Sequence, residues 1–124
     1  MANEIVSTCS LRVTNGNLKS NLNPGSVNIT QAVAKGPSPG CVVVGFAADE
    51  VISFAELATL GVIQITNLGP TNFVQFGPNN GGTMLPAIKI LAGETWQFRL
   101  VPGVTYRAQA DTADCSVIFS AFNA

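Results

Sequence analysis

From Glu4 to Thr14 the chain reads EIVSTCSLRVT, with apolar residues mostly at odd positions and polar ones mostly at even positions. A period of two is the pattern of a strand with one covered face. The same alternation returns in SVNIT at 26–30, VIQIT at 62–66, FVQF at 73–76, AIKIL at 87–91 and ETWQFRL at 94–100. In the last of these Trp96, Phe98 and Leu100 share one parity, and Thr95, Gln97 and Arg99 the other. VTYRAQA sets Val104, Tyr106 and Ala108 against Thr105, Arg107 and Gln109. CVVVGF is apolar at both parities and predicts a central strand, buried on both faces. CSVIFSAF predicts the closing strand.

Turn residues separate these runs. TNGN, NPGS, KGPSPG, NLGPTN, GPNNGG, LAGE and VPGV each cluster Gly, Pro or Asn. NLGPTN is expected to close a hairpin between VIQIT and FVQF, its asparagines bonding nearby backbone. LAGE is expected to close a second hairpin, and GPNNGG to form a loop leading out. Only residues 49–61, DEVISFAELATLG, carry a helical signal: Val51, Phe54, Ala55 and Ala58 fit helical spacing, while Ile52, Leu57 and Leu60 do not. The segment reads as a strand edge at 51–54 and one helical turn at 56–60, ended by Gly61. Together these elements predict an all-β protein, an antiparallel β-sandwich or small jelly-roll-like barrel of about eight strands. Trp96, Phe98, Tyr106 and Phe119 supply the aromatic core. The 124 residues suit a single β-sandwich domain spanning 1–124, with KGPSPG as a loop.

Composition narrows the function classes. Charged residues make up 10% of the chain and the net charge is −1. No basic excess exists to displace counterions from nucleic acid, so that partner is not expected. A membrane partner is not expected either: the longest apolar stretch, residues 41–48, is too short to span a bilayer as a helix. The start, MANEIVSTCS, lacks the basic and apolar regions of a secretory signal. A surface of Asn, Thr, Ser and Gln with little net charge favours association with copies of itself or with a larger assembly. Cys9 shares parity with Ile5, Leu11 and Val13, and Cys115 with Val117 and Phe119, so both are expected inside as small core residues. With Cys41 the count is odd, and one disulfide stays open.

Candidate chemistry is sparse. The chain contains no histidine, which removes the Ser–His–Asp triad, the Cys–His pair and the usual zinc ligand sets. Asp111 and Asp114 lie in ADTADC, a turn between strands, and read as solvated turn residues rather than catalytic acids. Gly81 and Gly82 have no following helix and no lysine at phosphate-loop spacing. Trp96 alternates with Phe98 and reads as core rather than a sugar platform. Arg99 and Arg107 face outward, on strands expected to be neighbours, where they can pair with acidic groups of a partner. No cofactor and no metal are expected, and the protein is not expected to be an enzyme.

Three stretches, SLRVTNGNL…PGSVNITQAVAKGPSPG, FAELATLGVIQITNLGPTNFVQFGP and ILAGETWQFRLVPGVTYRAQADTADCSVIFSAF, resemble small structural proteins of tailed bacteriophages. The resemblance covers most of the chain and is strongest at NLGPTNFVQFG, LAGE and YRAQA. It implies a virion component, made in the host cytoplasm. The form it best suits is a β-sandwich capsid decoration (cement) protein, bound as a homotrimer to the major capsid protein on the capsid surface. The alternative is a tail or fibre component with a glycan- or receptor-binding role, for which Asn72, Gln75 and Asn79 are the candidate contacts. On the decoration reading, residues 1–4 would suit an extended arm.

Overall fold

The computed structural model describes residues 4–124; the first three residues of the expected N-terminal arm lie outside them. The chain divides into two compact units, one running to Val33 with Ala124, the other Ala34–Asn123. All regular structure among the described residues is β.

The first unit is a two-stranded antiparallel ribbon of β1 (Ile5–Asn15) and β2 (Leu18–Ile29). A two-residue turn joins them, with Gly16 at φ 58°, a conformation favoured in tight hairpins. Strand β2 does not stop at NPGS, as its turn signal suggests. The register passes from Cys9 opposite Gly25 to Leu11 opposite Leu22, so Ser10 alone faces both Asn23 and Pro24. This is a β-bulge with the extra residue on β2. The bulge has a clear consequence. The apolar residues of β2 change parity, from Leu18 and Leu22 to Val27 and Ile29, and the inserted residue brings all four onto one face.

The second unit is an antiparallel β-sandwich. Its four-stranded sheet has the order β3 (Ser38–Val44), β11 (Cys115–Asn123), β5 (Leu60–Asn67), β9 (Thr95–Arg99). The other sheet has the order β4 (Glu50–Ile52), β10 (Tyr106–Ala110), β6 (Val74–Asn80), β7 (Thr83–Met84), with β8 (Ile88–Ile90) also paired to β6. Inward parities meet as expected. Val117 and Phe119 of β11, and Ile63 and Ile65 of β5, face Val74 and Phe76 of β6 and Ala108 of β10 in one continuous core. Phe76 is the hub. Its ring stacks on Tyr106 at 5.4 Å and meets Phe119 at 5.9 Å and Phe98 at 6.4 Å, across the two layers. The Tyr106 hydroxyl accepts from Val101 N at 3.1 Å and donates to Val101 O, fastening the loop before β10.

Several expectations are corrected. The segments around NLGPTN and LAGE are not hairpins: β5 and β9 belong to one sheet, β6 and β8 to the other, so both turns carry the chain between layers. CVVVGF lies in an edge strand, paired only with β11, and Val43 is exposed. GPNNGG is mostly strand: β6 runs to Asn80, and Gly81 and Gly82, at φ 63° and 92°, make the two-residue turn into β7. No helical turn forms at 56–60; Leu57 N bonds Phe54 O as a single turn, and β5 passes straight through Gly61. Trp96 shares the inward parity of Phe98 but sits at the sheet edge, 47% exposed. All three cysteines are free; Cys115 is buried as expected, whereas Cys9 is exposed.

Candidate functional site

Outward parities of the second sheet place Gln109 of β10 beside Gln75 of β6, and Gln75 beside Lys89 of β8. One row along, Arg107 pairs with Gly77 and with Val51 of β4. Asn79 follows at the same parity as Gln75 and Gly77, exposed near the end of β6. Gln75, Asn79 and Arg107 therefore share one outward parity, with residues 85–87 lying over Gly77 between Gln75 and Asn79. Asn72 lies just before β6, where its Oδ1 accepts from Thr112 Oγ1 at 2.9 Å. Arg99 does not join them. It is exposed on β9, in the other sheet, so the expected neighbourhood of Arg99 and Arg107 is corrected.

Residues not singled out from the sequence complete this face. Asp49, immediately before β4, forms an ion pair with Arg107 Nε, and its carbonyl accepts from Arg107 Nη2 at 3.3 Å. Met84 N donates to Asp49 Oδ2 at 3.2 Å, tying β7 to the same carboxylate. The Arg107 bond, aided by the Met84 amide, holds the Asp49 carboxyl below its ordinary pKa. Lys89 Nζ stands 4.2 Å over the Phe73 ring, a cation–π contact. Gln109 Nε2 donates to Phe46 O at 2.9 Å. Both cations of the face thus have partners within it, and what it offers outward is amide groups, the Phe73 ring and the half-exposed Val51 side chain. That chemistry suits hydrogen bonding to a neutral polar surface. Among the described residues no cluster of three or more His, Cys, Asp or Glu is placed to hold a metal ion.

The asparagine-rich stretch has a structural role. Asn67 is fully buried; its Nδ2 donates to Asn72 O at 2.9 Å and Ile90 O at 3.1 Å, and its Oδ1 accepts from Gly69 N at 2.8 Å. One side chain therefore ties the crossing at 68–72 to β8. Gly69 is required there, because a Cβ would lie 2.8 Å from Cys115 Sγ. Burial, with Asp114 and Asp111 nearby, raises the Cys115 thiol above its ordinary pKa and keeps it protonated. Asp114 reaches beyond its own turn: its Oδ1 accepts from Phe46 N at 3.3 Å, in the loop after β3.

A second exposed surface lies on the ribbon. Its one-sided apolar face includes Leu18 and Val27, each 60% exposed, and Leu22, 55% exposed. The turn signal of NPGS hides this face in the sequence; the parity switch across NPGS is the signal that reveals the bulge.

In class, the second unit is an all-β antiparallel sandwich. Compared with known protein families, curated proteins and solved structures, the chain matches none.

Proposed function

We propose that this protein is a non-enzymatic virion structural protein, a capsid decoration (cement) protein that binds the major capsid protein across neighbouring subunits as a homotrimer on the capsid surface. The observation that carries this reading is the outward face of the second sheet. Its charges are compensated internally, Arg107 by Asp49 and Lys89 by the Phe73 ring, and Gln75, Gln109 and Asn79 present neutral amides. Such a face adheres to a protein surface without demanding complementary charge. The low charge of the whole chain and the resemblance to phage structural proteins support the same reading. Three copies at a threefold position would combine modest contacts through high local concentration. The test is to add purified protein to capsids stripped of it and to label intact virions. Saturable binding and label on the head are expected; a protein that stays monomeric at high concentration and leaves capsids unlabelled overturns the proposal.

A second reading, a tail or fibre module that recognises glycans, is favoured by Trp96. Its indole is half exposed, and Nε1 donates to Glu94 Oε1 at 3.2 Å, which holds the ring in place. A fixed aromatic face is what a sugar ring stacks on. Glycan-array binding that disappears in Trp96→Ala would decide for this reading.

A further inference from the structure

The apolar face of the ribbon has a self-complementary profile. Cross-strand pairs on that face form six rows: Ile5 with Ile29, Ser7 with Val27, Cys9 with Gly25, Leu11 with Leu22, Val13 with Ser20, and Asn15 with Leu18. The middle of the series falls between the Cys9 row and the Leu11 row. A two-fold axis across the ribbon at that point, parallel to the face, lays a second ribbon antiparallel on the first. Cys9 then meets Leu11 of the second copy, and Gly25 meets Leu22. Ser7 meets Val13, and Val27 meets Ser20. Small faces large in all four central rows, which is how facing layers interdigitate. Turning the axis by a right angle sets Leu11 on Leu22 and Cys9 on Gly25, a collision beside a gap.

Other observations point to the same occupant. No charged residue lies on this face; Arg12 and Lys19 belong to the opposite parity rows, with Asn21 and Thr14. A charged partner surface gains nothing here, and an uncharged apolar one does. A two-stranded ribbon is also marginal by itself in water. We propose that this face pairs with the same face of a second copy of the chain, antiparallel about that two-fold axis. At about 3.3 Å per residue the ribbon face is roughly 40 Å long and about 10 Å wide, so two faces bury on the order of 800 Å². That is below the ~1,200 Å² of a standard stable interface, so ribbon pairing alone gives a concentration-dependent dimer. The inference does not depend on the virion reading. If that reading holds, this is a second self-contact, distinct from the threefold one.

The experiment is sedimentation equilibrium of the whole chain with matched variants. Dimer is expected to grow with concentration. Leu22→Glu raises the dissociation constant by about tenfold or more, because it buries an unpaired carboxylate against Gly25 of the second copy. Val6→Glu adds the same charge to the opposite face and leaves the dimer unchanged. Cys9→Leu and Leu11→Cys each weaken it, and the double variant, which exchanges the large and small partners, restores it. The two Cys9 Cα atoms are placed about 12 Å apart, from ~10 Å between sheets and one row along the strand. That separation is too long for a disulfide. In a Cys41→Ser background a short bismaleimide therefore joins two chains through Cys9, and Leu22→Glu abolishes the product. A chain that stays monomeric at high micromolar concentration, a dimer insensitive to Leu22→Glu, or a double variant as weak as its parents would each overturn the proposal.

Discussion

Asn67 and Gly77 illustrate how single residues hold the sandwich. Asn67→Ala leaves Gly69 N, Asn72 O and Ile90 O without their side-chain partner in a buried place. At roughly 1–3 kcal/mol for each buried group left unsatisfied, it is expected to cost at least about 2 kcal/mol. Asn72→Ala removes only the exposed Thr112 bond and is expected to cost under about 1 kcal/mol, so urea unfolding of the two variants separates the roles. Gly77 is confined by backbone rather than by φ. A Cβ there would lie 1.9 Å from Leu85 O, and Leu85 N is itself bonded to Pro78 O. Gly77→Ala therefore has to push the 85–87 segment off the sheet, and a loss of about 3 kcal/mol or more is expected in the same assay. The thiols divide by exposure. Cys9 and Cys41 are expected to label with maleimide in the folded protein, and Cys115 only after unfolding, because it is buried and held protonated. Fast native labelling of Cys115 would contradict the packing of the 68–72 crossing against it.

At the scale of elements, the Asp49 carboxylate joins β10, β7 and the start of β4. Its pKa is depressed in the folded state by the Arg107 bond and the Met84 amide, so the sign of its pH linkage is set. Ionised Asp49 contributes stability above its unfolded pKa of about 3.9, and that contribution is lost as pH falls through the lower folded value. Asp49→Asn is expected to be less stable than the parent at neutral pH and nearly equal to it at the acid end, measured by thermal unfolding across pH. Equal destabilisation at all pH values would mean that the ion pair does not carry the effect. The turns show how much of each element was legible. TNGN and the glycines of GPNNGG do close two-residue hairpins, as their residue types require. NLGPTN and LAGE use the same residue types to cross between layers, which their composition does not distinguish. NPGS became a bulge, because a strand passing through it keeps its apolar face whole.

For the molecule as a whole, the two units differ in what stabilises them. The sandwich has a continuous core centred on Phe76 and Phe119, both fully buried, and every buried side-chain polar atom among its described residues has a hydrogen-bond partner. The ribbon has ladder bonds and exposed apolar side chains but no core of its own. Hydrogen exchange is therefore expected to be slowest in β11, one of the two inner strands of its sheet, and far faster in β1 and β2 at low concentration. Raising the protein concentration should slow β1 and β2 selectively, since pairing of ribbons protects them. Protection of the ribbon equal to that of β11 in dilute monomer would contradict this division. The outward faces of the second sheet and of the ribbon are different in kind, one offering compensated charges and amides, the other bare apolar rows, and they suit different contacts.

What the sequence determined alone was the local geometry: strands from two-residue alternation, and the inward or outward side of most residues in the alternating strands of the sandwich. Cys115, Val117 and Phe119 point inward and Gln75, Arg107 and Arg99 outward, as their parity requires. Parity is the same whichever strand lies alongside, so it cannot say who pairs with whom. Only the tertiary structure decided that β5 and β6 part into different sheets, that Arg99 and Arg107 lie on separate ones, that Trp96 meets an edge, and that the apolar face bearing Cys9 stays open. Those outcomes depend on how two layers share one core, a long-range sum over contacts that no short window of residues contains.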